Sequence, residues 1–408
     1  MMNYYYKVAR KITFFILIFF CFEQYESCAI TPPVDDVSND LERIRVQYNM
    51  PGLSALALKH CVLVGQGASG YRLQNYSSPL LISDAVNIGS CSKWMTATLA
   101  GRLVDRKLLS WTTKIHECFS NYASFNSLFR NATLEQLLAH RAGVQKTSTF
   151  FDRHGLAFIS QNGNISQIRR WVADTVLKDT PEVPPDEYLY SNQGYTVAAV
   201  MMEQVTGQDW ESLIRQHVFI PLEMTSARIG PVYDNTLPPK APVGHELLPN
   251  QTIPIPRPML TTQILHVEHA SSGPSGFVAC SLHDFAKFLH AHVVGEKTGY
   301  LSAATATKLK QPYIGIEGYG LGVLVFNRTW ALPGQALFHD GDAFGQNTVF
   351  WMASAKDLIT ISYTNCRSED GITGRALDAA IGVVLAKYLN SSKNIKLESH
   401  GFIDENHF

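Results

Sequence analysis

The pattern of hydrophobic and polar positions changes along the chain. Residues 37–52 repeat apolar side chains at helical spacing, which predicts an amphipathic helix with Ser38 as its N-cap and a stop at Pro51 and Gly52. Residues 53–73 alternate and contain small and β-branched side chains, which predicts a hairpin of two strands. From residue 90 to residue 219 the spacing is mostly helical; the clearest segments are TLEQLLAHRAG, NISQIRRWVADTVL and NQGYTVAAVMMEQVTG.

The second half of the chain returns to strand patterns. Residues 231–262 are rich in proline and polar residues, which predicts an irregular segment. Helical spacing follows in SLHDFAKFLHAHVV and SAATATKLKQP, strand patterns in GYGLGVLVFN, GQALFHDGD, GQNTVFWMAS and DLITISYTN, and a last helix in GRALDAAIGVVLAKYL. Strands at both ends with helices between them predict an α+β fold whose single sheet is built from both termini, with a helical insert. We expect one domain over residues 38–390 and a polar tail over 391–408.

The first thirty residues have the pattern of a targeting segment. Three basic residues precede an apolar run over residues 12–22, and the small residues Ser27 and Ala29 follow it. This order is typical of a secretory signal peptide, so we expect residues 1–29 to be cleaved, leaving a secreted protein with no stable membrane association. The run of 11 residues is shorter than the roughly 20 that a spanning helix needs. An uncleaved membrane anchor is the alternative.

Two further features fit a secretory compartment. Six N-x-S/T sequons, the acceptors of N-linked glycans, occur at Asn75, Asn131, Asn164, Asn250, Asn327 and Asn390. Five cysteines follow the predicted signal peptide at wide spacings, which allows one or two disulfides without fixing their pairing. They contain no CxxC pair, so the sequence offers no zinc or redox motif of that type.

Charge and histidine spacing exclude several classes of partner. The formal net charge is −1 and no stretch concentrates lysine and arginine, so we expect no nucleic-acid binding. His266 and His269 are three residues apart but have no further ligands at metal spacing, and we expect them to be loop histidines. The sequence therefore predicts neither a metal nor a cofactor, and it leaves the oligomeric state open.

A candidate nucleophile stands at the start of a predicted helix. The segment NIGSCSKW places Ser90, Cys91 and Ser92 before Lys93. Successive helical residues lie about 100° apart around the axis, so Ser90 and Lys93 share a face one turn apart while Cys91 and Ser92 point away. The helix N-terminus and partial burial are expected to lower the pKa of Lys93, which would then accept the serine proton. An isolated S-x-x-K pattern is weak evidence.

A serine–lysine pair also needs a second proton carrier. The segment YLYSNQGY supplies Tyr190 as acid/base and Asn192 to hold a substrate amide and the Lys93 ammonium. Two other Y-x-N triplets begin at Tyr233 and Tyr363. Of the three, the triplet at Tyr190 directly precedes a predicted buried helix in the helical middle, and we therefore select it.

The opposite wall of the cleft has two candidate strands. Lys297-Thr298-Gly299 matches the K-T-G motif of serine β-lactamases, but it lies in what reads as a polar loop between helices. The segment ALFHDGDAFGQNTVFW instead places His339 and Gly341 on a strand pattern followed by a turn into another strand. We therefore predict that the second segment forms the wall.

The three motifs S-C-S-K, Y-S-N and H-D-G, in this order, resemble those of the serine β-lactamase-related proteins, a group that includes class C β-lactamases, D-alanyl-D-alanine carboxypeptidases, esterases and animal β-lactamase-like proteins. LLAHRAGV, with Ala142 in place of the usual serine, extends the resemblance, which covers residues 38–390. It implies an antiparallel sheet flanked by helices, with a helical subdomain. It also implies an acyl-enzyme on Ser90, an oxyanion hole from the backbone N–H groups of Ser90 and Asp342, and substrate contacts from Asn192, His339 and Gly341.

Two departures qualify the expected substrate. His339 replaces the lysine of class C β-lactamases, and Asp340 stands where threonine or serine is usual, so its charge would repel the carboxylate of a penicillin. We therefore expect a secreted serine hydrolase of a small-molecule or peptide-like amide or ester that is a poor β-lactamase. A weak or inactive binding scaffold, and an acyltransferase using the same acyl-enzyme, are the alternatives.

Overall fold

The computed structural model of the protein describes residues 34–119, 122–232, 236–258 and 260–388. The predicted signal peptide and the predicted tail, 391–408, lie outside the described residues, and both remain predictions. Across the described ranges, no helix has the length and apolar character required to cross a bilayer.

An eight-stranded sheet forms the centre of the molecule. All of its neighbouring strands are antiparallel except the first pair. In sheet order the strands are β1 (Asp35–Asp36), β3 (Val62–Gly70), β2 (Gly52–Lys59), β13 (Leu358–Thr364), β12 (Gln346–Ala353), β11 (Ala336–Ala343), β10 (Leu324–Phe326) and β9 (Gly318–Tyr319). Because β2 pairs with β13, the N-terminal hairpin joins the C-terminal strands, and the prediction of one sheet built from both ends is confirmed.

Two small sheets connect the irregular parts of the chain to this frame. One contains β14 (Cys366–Ser368), β6 (His245–Leu247) and β7 (Ile255–Pro256), and the other contains β4 (Val86–Asn87), β8 (Val278–Cys280) and β5 (Arg228–Ile229). β6 and β7 lie in the segment predicted to be irregular. β6 is the middle strand and pairs with β14 in parallel and with β7 in antiparallel orientation, which ties this segment to the C-terminal part of the chain.

Helices cover both faces of the main sheet. α1 and α12 pack on one face, and the remaining helices belong to the larger hydrophobic core on the other. The α-helices are α1 (Ser38–Gln47), α2 (Ser92–Asp105), α3 (Ile115–Cys118), α4 (Leu134–Leu138), α5 (Thr147–Ile159), α6 (Ile165–Lys178), α7 (Asn192–Thr206), α8 (Trp210–Ile214), α9 (Thr262–Gly276), α10 (Leu282–Thr298), α11 (Ala303–Lys308) and α12 (Ile372–Tyr388).

Three local expectations were wrong. Val37 is the N-cap of α1, and Ser38 is its first residue. His266 and His269 lie on α9 instead of a loop, because packing against α6, α7 and α2 stabilises a helix that has a weak hydrophobic pattern. Lys297 is exposed and lies in the last turn of α10, and Gly299, in the left-handed conformation, ends that helix. It is therefore part of no strand.

Candidate active site

In the turn before α2, Ser90 is partly exposed and its neighbours are buried. Gly89–Cys91 form a 3-10 turn and α2 begins at Ser92, so the helix starts two residues later than expected. From residue 86 to residue 101, Ser90 is the one residue that is not buried. Its hydroxyl therefore reaches solvent from an otherwise buried segment.

The two other candidate nucleophiles have structural partners. Ser92 Oγ accepts the backbone N–H of Val278 at 3.1 Å. Cys91 Sγ lies 3.7 Å from the carbonyl oxygen of His339, and burial raises the pKa of the thiol well above its usual 9.0. Both side chains are fully buried, so neither is placed to attack a substrate.

Lys93 is buried directly behind the serine. Its Nζ lies 2.9 Å from Ser90 Oγ, 2.8 Å from Asn192 Oδ1 and 3.0 Å from the carbonyl oxygen of Ser275. The 3-10 turn leaves Ser90 and Lys93 one turn apart on the same face, as the sequence predicts. The amine is thus held by three oxygens, one of which belongs to the partly exposed Ser90.

The loop before α7 brings the tyrosine to the same oxygen. The Tyr190 hydroxyl donates to Ser90 Oγ at 2.8 Å. Ser191 is the N-cap of α7, and its Oγ accepts the N–H of Gly194 at 3.2 Å, so the helix begins at Asn192 with its amide beside Lys93. The cap therefore fixes the spacing of tyrosine and asparagine around the serine.

The buried His140 side chain contacts this loop and holds it in place. It is 3% exposed, its Nδ1 accepts the N–H of Ser191 at 3.1 Å, and its ring centroid lies 4.3 Å from that of Tyr190. Burial, with Lys93 nearby, keeps its pKa well below the usual 6.5. A neutral ring with Nδ1 as acceptor fits the hydrogen bond that it makes.

Two glycines let β11 approach the serine turn. A methyl group on Gly341 would lie 2.0 Å from the carbonyl oxygen of Ile88, and one on Gly89 would lie 2.6 Å from the backbone nitrogen of Asp342. Gly89 also has φ of +50°, which disfavours a larger residue. The contact brings the strand carrying Asp342 against the turn carrying Ser90.

His339 occupies the wall of the cavity as a neutral ring. It is 2% exposed, its Nδ1 bonds to the carbonyl oxygen of Asp340, and its Nε2 lies 3.0 Å from the Tyr319 hydroxyl. Burial, followed by the charge of Lys93, lowers its pKa to about 3. Since Nδ1 must donate to a carbonyl, Nε2 accepts from Tyr319, and both nitrogens are engaged.

Ser90, Tyr190, Asn192 and His339 line a cavity of about 420 Å³, within the size range of small-ligand sites. Arg367 Nε lies 3.5 Å from Asp342 Oδ2 and 3.7 Å from Glu246, and Arg257 Nε lies 3.8 Å from Glu246, so each guanidinium at the rim has a carboxylate partner. The lining residues are Ser90, Tyr188, Tyr190, Asn192, Arg257, Tyr319, Leu324, His339, Asp340, Asp342, Ala343, Phe344 and Arg367.

Sequence reasoning missed part of this site. Tyr319 lies in the predicted strand GYGLGVLVFN, but a tyrosine on a strand is ordinary and gave no signal. Arg257 directly follows β7 and Arg367 lies in β14, and no local pattern predicts the pairing of these strands with β6. Of these three residues, Tyr319 makes a direct hydrogen bond to a predicted site residue, since its hydroxyl bonds to His339.

Within the described ranges, no group of three or more histidine, cysteine or acidic side chains is arranged to hold a metal ion. Cys61 is disulfide-bonded, and four described cysteines are free thiols: Cys91, Cys118, Cys280 and Cys366.

Comparison with known proteins gives the family. The profile of the family described as Beta-lactamase matches residues 35–383. Penicillin-binding protein 4 of Amycolatopsis lactamdurans is 25% identical over 341 residues, which cover 79% of this chain and 83% of that protein.

Solved structures agree on the fold. A D-amino acid amidase of Ochrobactrum anthropi has a TM-score of 0.65 at 18% identity, covering 85% of this chain and 99% of that one. EstCE1, a hydrolase with promiscuous acyltransferase activity, has a TM-score of 0.66 at 17% identity, covering 84% of this chain and 97% of that one. Since the profile spans most of the chain and these likenesses establish the same fold, this protein belongs to the Beta-lactamase family of serine hydrolases.

Proposed function

We propose that this protein cleaves an amide or an ester through an acyl-enzyme on Ser90. The observation that carries the proposal is the meeting of two proton carriers at one partly exposed serine: Ser90 Oγ lies 2.9 Å from Lys93 Nζ and 2.8 Å from the Tyr190 hydroxyl. A nucleophile within hydrogen-bond reach of its base is the arrangement that covalent catalysis requires.

The chemistry follows from these contacts. Lys93 takes the Ser90 proton as Oγ bonds to the substrate carbonyl carbon, and the backbone N–H groups of Ser90 and Asp342 stabilise the oxyanion. The leaving group departs with a proton from Tyr190, which is restored from Lys93. Water then attacks the acyl carbon and passes a proton to the Lys93–Tyr190 pair. When the bond to Ser90 Oγ breaks, that proton returns to Oγ and the carboxylic acid is released. Asn192 holds Lys93 and presents its amide to the substrate.

A fluorescent phosphonate tests the nucleophile. We expect a covalent adduct with the wild type and with the neighbouring Cys91→Ala variant, and none with Ser90→Ala. The same three proteins should be assayed on p-nitrophenyl esters and D-amino-acid amides. An adduct that survives in Ser90→Ala would refute the assignment of the nucleophile.

The two alternatives give different results in these assays. A weak or inactive scaffold predicts no Ser90-dependent adduct and no turnover. An acyltransferase predicts the adduct, little hydrolysis in water, and a new amide or ester when an amine or alcohol acceptor is added. Product analysis with and without acceptor therefore separates transfer from hydrolysis.

We also propose that β-lactams are poor substrates. The wall residue His339 is neutral, and both of its nitrogens are engaged, so it supplies neither a charge nor a donor to a carboxylate. Asp340 adds a negative charge to the cavity lining. Nitrocefin should be hydrolysed far more slowly than the best neutral ester; comparable rates would contradict this part of the proposal.

We propose secretion as the setting of this activity. The sequon asparagines within the described residues support this, because all of them are exposed: Asn75, Asn131, Asn164, Asn250 and Asn327. Expression of the full chain in eukaryotic cells tests this: the protein should reach the medium. Retention in the membrane fraction would favour the uncleaved anchor instead.

A further inference from the structure

A second groove, of about 510 Å³, shares no lining residue with the catalytic cavity. Its volume is within the range of small-ligand sites. Three chain segments form it: residues 45–51 at the end of α1, residues 71–77 after β3, and residues 252–254 before β7. The catalytic mechanism uses none of them.

Two sequons meet at this groove. Asn75 and Ser77 of the first sequon and Thr252 of the second line it. Asn75 and Asn250 are both exposed and both have left-handed backbone conformations, with φ of 67° and 64°. Exposed turn positions of this kind are accessible to modification, and N-x-S/T is the acceptor pattern for an N-linked glycan.

The groove wall combines apolar rings with polar groups. Tyr71, Tyr76 and Ile253 are 45%, 40% and 64% exposed, which is high for side chains of their size. Arg45 and Asn49 add polar atoms to the same lining. A pyranose has the matching chemistry, since its faces present C–H bonds and its edge presents hydroxyl groups.

We propose that Asn75 carries an N-linked glycan whose first sugar residues lie in this groove against Tyr71 and Ile253. The proposal rests on passage of the chain through the secretory pathway. Because the glycan is covalently attached at the groove wall, its docking is intramolecular, and a high effective concentration makes weak stacking contacts sufficient. The groove is therefore occupied by the protein's own modification.

The full chain made in a eukaryotic secretory host tests the proposal. Glycopeptide mass spectrometry should find Asn75 occupied. Endoglycosidase treatment of the folded protein should then trim the Asn75 glycan about tenfold more slowly than the glycan at Asn131, an exposed sequon outside the groove. Tyr71→Ala and Ile253→Ser, which leave both sequons intact, should remove that difference, as should denaturation.

The Asn131 glycan separates the ways in which the proposal can fail. Occupancy at Asn131 with an unmodified Asn75, or equal trimming rates at the two sites, would overturn the groove proposal and leave secretion intact. No glycan at any sequon would overturn both. Protection at Asn75 that persists in Tyr71→Ala and Ile253→Ser would also contradict docking in this groove.

Discussion

Lys93 and His339 are two buried basic side chains beside the same cavity, and their hydrogen bonds lead in different directions. Lys93 is 0% exposed and contacts Ser90, Asn192 and Ser275. His339 is 2% exposed and contacts Tyr319 and the carbonyl oxygen of Asp340. Lys93 is therefore hydrogen-bonded to the nucleophile, whereas His339 is hydrogen-bonded to other residues of the cavity wall.

The partners decide what a proton can do at each group. Two of the Lys93 contacts, Asn192 Oδ1 and Ser275 O, are acceptors. A neutral amine donates to both and accepts from Ser90, while an ammonium donates to all three, so a proton can transfer with no movement of heavy atoms. At His339 a second proton would have to go on Nε2, the nitrogen that accepts the hydrogen bond of the Tyr319 hydroxyl, so protonation would break that bond. Burial alone therefore does not make a side chain a catalytic base; its hydrogen-bond partners decide whether it can accept a proton from the nucleophile.

Lys93→Met gives the largest expected effect. Methionine keeps the apolar volume and removes the base, so kcat/KM for the best ester should fall by about 10³-fold or more. Thermal unfolding should show that the variant remains folded, and phosphonate labelling of Ser90 should slow in parallel. Near-normal labelling would mean that another group activates the serine.

Tyr190→Phe should have the next largest effect. It removes the hydroxyl that donates to Ser90 Oγ at 2.8 Å but keeps the ring against His140. We expect kcat to fall by about 10²-fold with esters and more with amides, whose leaving groups need a proton more strongly. An equal loss for both substrate classes would place the role of Tyr190 in serine activation alone.

Helix geometry and ordered motifs made the nucleophile side of the site predictable. Ser90 and Lys93 are close in sequence, so one turn of helix fixes their contact. The Tyr190 loop was identifiable because it directly precedes the strongly apolar helix α7. The longer strands of the main sheet were predictable because their residue patterns are local signals. β1 was not predicted, and GYGLGVLVFN, predicted as one strand, forms the two short paired strands β9 and β10.

The rest of the site depends on contacts between distant segments. α9, which contributes the Ser275 carbonyl, contains Gly273, Pro274 and Gly276 and is helical because neighbouring helices bury it. Arg257 and Arg367 reach the rim through the pairing of β6 with β7 and β14. No local pattern encodes such contacts, so the rim arginines could be found only in the structure, whereas the wall strand with His339 was predicted from its own sequence pattern.

Tyr319→Phe tests the wall side of the comparison. Loss of its hydroxyl leaves His339 Nε2 without a donor but does not touch the Ser90 contacts, so we expect at most about a tenfold loss in kcat/KM with neutral esters. Tyr363→Phe is the matched control, because Tyr363 is equally buried and donates one hydrogen bond, to Gln346 at 2.9 Å. A loss as large as that of Tyr190→Phe would place His339 on the proton path.

The smallest expected effect is a pH dependence of stability that comes from His339. Its pKa is about 3 in the folded protein and near 6.5 when unfolded, so its contribution is present above pH 6.5 and is lost as the pH falls towards 3. Urea unfolding at about pH 5.5 and about pH 7.5 should show that His339→Asn removes about 1.4 kcal/mol of the wild-type difference. If His339→Asn has the wild-type pH dependence, His339 is not held neutral by the fold.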